Sequence, residues 1–214
     1  LAPNSDNSSS QLDSGFGYAN APSLISDLDQ VELSENSRIF TGFSEFDRVL
    51  GGGFIDGSVV LLGGDPGAGK STLLLQALAK IKETKKVLYV TGEESLEQLA
   101  IRARRLGLSA EGLSVATETR AQAIANHISE HSPDVVIIDS IQVMQLESLD
   151  STPGSLSQVR ETAAYFTRLA KTRGVVIVLV GHITKEGGLA GPKVLEHMID
   201  CFMMLESPAA SRFR

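Results

Sequence analysis

Short runs of consecutive apolar residues alternate along this chain with stretches whose apolar positions recur at helical spacing. Val59-Val60-Leu61-Leu62, Val87-Leu88-Tyr89-Val90-Thr91 and Val135-Val136-Ile137-Ile138 are the first three runs, and 175–180 and 201–205 supply a fourth and a fifth. Runs of this length without polar alternation suit strands covered on both faces. Between them the spacing predicts helices. Phe43, Phe46, Val49 and Leu50 mark a short amphipathic helix, and Leu73, Leu74, Ala77, Leu78 and Ile81 mark one beginning near Lys70. Ser95 is a predicted N-cap, with Leu96, Leu99, Ala100, Ala103 and Leu106 on one face and Gly107 as the stop. Two further helices are expected over 120–131 and 155–172, the latter with Val159, Ala163, Phe166 and Ala170 inward. Strands and helices in alternation predict an α/β fold with a mainly parallel sheet and helices on both faces.

The first strand runs into Gly64-Asp65-Pro66-Gly67-Ala68-Gly69-Lys70-Ser71, a complete phosphate-binding loop, followed by Thr72 in the nascent helix. Glycines let the backbone curl so that successive N–H groups point at phosphate oxygens. Lys70 is placed to reach the outer phosphates and Ser71 to ligate a metal. The helix adds its positive end to the same anion. ATP or ADP with Mg2+ is the ligand these parts require together.

Further chemistry sits where later strands end. Asp139 closes an apolar run, as the acid that holds Mg2+ does in P-loop NTPases. Glu93 and Glu94 follow the second strand, where ligands bind in open α/β sheets. One of them is a candidate base for the attacking water, and spacing does not choose between them. His182 follows the fourth strand, as a structural residue or as a sensor of the γ-phosphate. Lys185, in the Gly-rich tract after it, is a loop charge or a cation offered to DNA or to a neighbouring subunit's nucleotide. Arg102, Arg104 and Arg105 read as a helix face whose aliphatic stems cover apolar surface, with adenine stacking as the alternative, and Met203-Met204 as core.

Composition narrows the setting. One cysteine, Cys201, in 214 residues excludes an internal disulfide and a cysteine-rich zinc site within the chain. No apolar run reaches membrane-spanning length, so the expected setting is soluble and cytoplasmic. The net charge is −7, but residues 1–37 hold six acids (Asp6, Asp13, Asp27, Asp29, Glu32, Glu35) and no Lys or Arg. The remaining acids and bases nearly balance, so DNA binding through local basic patches stays open. Residues 1–34, rich in Ser, Asn and Asp, are expected to be a disordered acidic linker ahead of an ATPase domain over 35–214.

The separated motifs Phe40-Thr41-Gly42-Phe43, the phosphate loop, Tyr89-Val90-Thr91-Gly92-Glu93-Glu94-Ser95, Val136-Ile137-Ile138-Asp139-Ser140-Ile141-Gln142 and Gly181-His182-Ile183-Thr184-Lys185-Glu186-Gly187 together resemble the bacterial RadA (Sms) family of DNA repair proteins. So do Pro153-Gly154-Ser155, Gln158-Val159-Arg160-Glu161 and 189–197. The resemblance implies a RecA-like P-loop NTPase core. It implies a DNA-dependent ATPase that processes recombination intermediates and promotes branch migration with the RecA recombinase on single-stranded and branched DNA, as a homo-hexameric ring. On the same grounds Gly64 to Ser71 match the Walker A motif, Asp139 the Walker B acid, Glu93 the catalytic glutamate and His182 the phosphate sensor. The family's four-cysteine zinc finger and Lon-protease-like domain are expected to lie outside these 214 residues, and its Lys-Asn-Arg-Phe-Gly motif beyond Arg214. The expectation is a C-terminally truncated domain that binds nucleotide, turns over ATP weakly and forms no stable hexamer. The alternative is a nucleotide-gated DNA-binding assembly module with little turnover.

Overall fold

The computed structural model describes residues 38–182, 195 and 197–206. The predicted linker over 1–34 and Lys185 with its Gly-rich tract lie outside them. The chain runs α1 (Ser44–Val49), β1 (Val59–Gly63), α2 (Lys70–Ile81), β2 (Val87–Thr91), α3 (Leu96–Arg105), β3 (Leu113–Thr117), α4 (Ala121–His131), β4 (Val135–Asp139), α5 (Leu156–Arg173), β5 (Val176–Val180) and β6 (Cys201–Met204), with a 3-10 turn at Ile141–Val143. Six parallel strands form one sheet in the order β3-β2-β4-β5-β1-β6.

Strand alternation divides the interior into two cores. Val60, Leu62, Val87, Tyr89, Val135, Ile137, Val176 and Val178 face one way, onto α1, α2 and α3. Val59, Leu61, Leu88, Val90, Val136, Ile138, Ile177 and Leu179 face the other, onto α4 and α5. β1, β2, β4 and β5 are buried at every position, which is why they read as unbroken apolar runs. Each fully buried Val, Leu or Ile contributes roughly 1.5–3 kcal/mol over its exposed state. Asp200 ties β1 to the second layer: its carboxylate accepts from the Val59 N–H at 2.7 Å and from Lys171 Nζ of α5 at 2.6 Å.

Several details differ from the sequence reading. β3 was not among the five predicted strands. It lies at the edge of the sheet, and none of its residues is fully buried. In α3 only Leu99 and Ala103 are buried; Leu96 and Ala100 face solvent because an edge position covers a narrower stripe of helix. Val49 of α1 is likewise exposed. Among the described residues no helix is long and apolar enough to cross a membrane.

Candidate nucleotide site

Because every strand is parallel, the carboxyl ends of β1, β2, β4 and β5 lie together, and the predicted polar residues follow those ends. Gly64 leaves β1 at φ +147°, and a Cβ there would stand 2.4 Å from the Leu205 carbonyl oxygen. Only glycine fits so close an approach. Gly69, at φ +102°, is the N-cap of α2. No side chain caps this helix and no acid lies in its first turn. By contrast, Ser95 caps α3 through a capping box with Gln98, and Ser155 caps α5. The first N–H groups of α2 are therefore left for an external anion.

Lys70 is 4% exposed. Its Nζ donates to the Gly64 carbonyl at 2.7 Å and the Asp65 carbonyl at 3.0 Å. Burial pushes its pKa down, while the charges of Asp139, Asp65 and Glu93 act in the opposite direction. His182 Nδ1 stands 3.5 Å from Lys70 Nζ, and His182 Nε2 is 3.4 Å from Glu93 Oε1. Ammonium only donates and carboxylate only accepts, so in the neutral imidazole Nε2 carries the proton and Nδ1 the lone pair. His182 thus joins the lysine that follows β1 to a carboxylate that follows β2.

The two adjacent acids have different fates. Glu94 pairs with Arg102 of α3, and Thr91 Oγ1 accepts from its backbone N–H at 3.0 Å. Arg102, expected to cover apolar surface with its stem, is therefore also an ion-pair partner. Glu93 turns the other way, accepting from the Ser140 hydroxyl and facing His182. Ser140 follows Asp139 through a cis peptide bond.

Asp139 is buried and accepts a hydrogen bond from the Tyr89 hydroxyl, which also meets the Ser71 side chain. Tyr89 and Asp139 belong to neighbouring strands, and the register sets Asp139 opposite Thr91, two residues beyond Tyr89 on the same face. Burial first, and the Asp139 charge second, push the Tyr89 pKa far up, so its proton stays on. Sequence reasoning missed Tyr89. The available signal was a phenol in a strand otherwise without a polar side chain before Thr91, since a buried Tyr hydroxyl needs a partner.

The structure brings together Lys70, Ser71, Glu93, Asp139 and His182, while Asp65, Pro66 and Gly67 form the exposed lip of the loop. Ser71 and Asp139 supply a hydroxyl and a carboxylate, hard oxygen donors of the kind Mg2+ takes alongside water. A six-stranded parallel sheet carrying this loop and these strand-end acids defines a RecA-like P-loop NTPase core. The chain belongs to the AAA domain family, whose model matches residues 29–188. It is 57% identical over 201 residues to the DNA repair protein RadA of Salmonella typhimurium and 56% identical over 201 residues to that of Escherichia coli, in each case covering 94% of this chain and 44% of the relative. To the DNA repair protein RadA of Bacillus subtilis it is 48% identical over 190 residues, covering 88% of this chain and 42% of the relative. The chain therefore spans less than half the length of these relatives.

Proposed function

We propose that this chain is the ATP-hydrolysing domain of a bacterial, cytoplasmic DNA repair protein, with residues 35–214 forming the domain and 1–34 a linker. The observation that carries this reading is the convergence of Lys70, Glu93, Asp139 and His182 where strands end beside the uncapped start of α2. ATP lies along Gly64 to Thr72 with Lys70 on its outer phosphates, and Ser71 and Asp139 hold Mg2+, which offsets phosphate charge when bound. Glu93 accepts a proton from the attacking water as its oxygen bonds to the γ-phosphorus. The bond from that phosphorus to the bridging oxygen breaks, and ADP leaves with the electron pair. Glu94 is held by Arg102, which favours Glu93 as the base. His182, between Lys70 and Glu93, is suited to sense whether the γ-phosphate is present.

The same reading extends to the longer protein that the relatives represent: a DNA-dependent motor on single-stranded and branched DNA, acting with the RecA recombinase in branch migration and assembled as a homo-hexameric ring. Lys185 is its candidate contact to DNA or to a neighbouring subunit's nucleotide. The test is ATP turnover with and without single-stranded DNA for wild type, Glu93→Gln and Glu94→Gln. Glu93→Gln should lower turnover about 100-fold or more while nucleotide still binds, and Glu94→Gln should do much less. Unchanged turnover in Glu93→Gln, with no response to DNA, rejects the motor and leaves a nucleotide-gated assembly module.

A further inference from the structure

The amino-terminal side of the sheet, away from the nucleotide residues, carries a second group of ligating side chains. His127, Glu130 and His131 stand at i, i+3 and i+4 on α4, and so share one face of the helix. Each offers a ligand atom within 4.8 Å of the others. His131 Nδ1 lies 3.0 Å from the His127 carbonyl oxygen. That oxygen can only accept, so Nδ1 carries the proton and Nε2 presents its lone pair outward. A backbone carbonyl in this position is a usual second partner of a metal-binding imidazole, fixing tautomer and ring orientation.

The other two ligands are also free to bind. Glu130 makes no hydrogen bond or ion pair among the described residues. The His127 ring is half-buried, with its centroid 6.2 Å from that of His131. Both imidazoles line a cavity of about 620 Å3 shared with Lys86, Leu88, Ser114 and Ala116. Complementing the helix dipole accounts for a cation in the last turn, and hence for His131. It does not account for His127 and Glu130 on the same face.

We propose that His127, Glu130 and His131 bind a divalent transition-metal ion of the zinc class. Two neutral imidazoles and one carboxylate give a net charge of −1 and the mixed N/O donors that Zn2+ accepts, whereas Mg2+ prefers oxygen alone. Three protein ligands leave a coordination position open to water or an exchangeable ligand. Binding across one helical turn would staple the last turn of α4, to which all three ligands belong. This site does not depend on the nucleotide reading.

The test titrates the tag-free chain with Zn2+ by calorimetry, with Mg2+ in excess to fill oxygen-donor sites, and with Co2+ by visible absorption. One ion should bind, with affinity falling about tenfold or more in His127→Gln and in His131→Gln. Glu130→Gln should weaken binding less, since an amide oxygen still ligates. Circular dichroism confirms that each variant is folded, and Zn2+ should raise the Tm of wild type but not of the double His→Gln variant. Two results overturn the proposal: uptake that persists when both histidines are replaced, which assigns it to other donors such as His182, His197 or Cys201, or no uptake by wild type at about 100 µM Zn2+.

Discussion

Tyr89 shows how a single buried side chain can prepare a polar site. Its hydroxyl donates to Asp139 and lies beside the Ser71 side chain, so one phenol orients the carboxylate suited to Mg2+. Tyr89→Phe keeps the ring in its pocket and removes the bond to Asp139. Hydrogen bonds to charged groups contribute about 1.5–3 kcal/mol, so the Mg2+ concentration needed for half-maximal ATP turnover should rise by about ten- to a hundredfold, with far-ultraviolet circular dichroism unchanged. An unaltered Mg2+ requirement shows that Asp139 is oriented without Tyr89. Burial and the Asp139 charge both hold the proton on this phenol, so Tyr89 should add no alkaline limb to the activity profile.

At the scale of elements, α4 begins without a side-chain cap from its N-cap residue Arg120. Glu118 instead braces the turn that leads into the helix. Its Oε1 accepts from the Thr119 N–H at 2.9 Å and the Arg120 N–H at 3.0 Å, and the Arg120 guanidinium closes on both carboxylate oxygens. The Arg120 side chain is the largest cause, with the two backbone bonds adding to it, and together they lower the Glu118 pKa from 4.5 to about 2. A folded-state pKa below the unfolded one stabilises the fold above pH 4.5, and that stability is lost as pH falls toward 2. Glu118→Gln should cost about 1 kcal/mol at neutral pH, as weakening a side-chain to backbone hydrogen bond does. The variant should also lose less Tm than wild type between pH 4.5 and 2, as read by thermal melts across that range. Parallel acid limbs in the two proteins would show that the pKa of Glu118 does not change on folding.

Elements differed in how plainly their residues announced them. β1, β2, β4 and β5 were legible because strands buried on both faces need uninterrupted apolar residues, and the phosphate loop because its glycines carry backbone conformations other residues avoid. β3 escaped because Leu-Ser-Val-Ala-Thr at a sheet edge buries none of its residues fully and keeps only a weak alternation. Within the site, position along the chain located Lys70, Asp139 and His182 at strand ends. The choice between Glu93 and Glu94 was not legible, because it depends on Arg102 nearly two turns into α3 and on Ser140 at the end of the neighbouring strand β4. Tyr89 looked like core for the same reason: its partner Asp139 is fifty residues away.

For the molecule as a whole, the uncapped start of α2 and the buried Lys70 make stability and nucleotide binding two readings of one equilibrium. Lys70 Nζ rests on two loop carbonyls beside three carboxylates. A ligand bound only by the folded state stabilises it by about 2.7 kcal/mol at 100 times its Kd. Each kcal/mol raises the Tm of a domain this size by about 2–4 °C. Mg-ADP at that excess should therefore raise Tm by about 5–10 °C in wild type. Lys70→Ala removes the cation that faces the phosphates, so at the same nucleotide concentration it should show little or no shift. Its melting without nucleotide reports separately on what burying the lysine costs or contributes. If Lys70→Ala keeps the full shift, the phosphates are held elsewhere, and the loop from Gly64 to Ser71 is a tight turn that happens to contain a lysine.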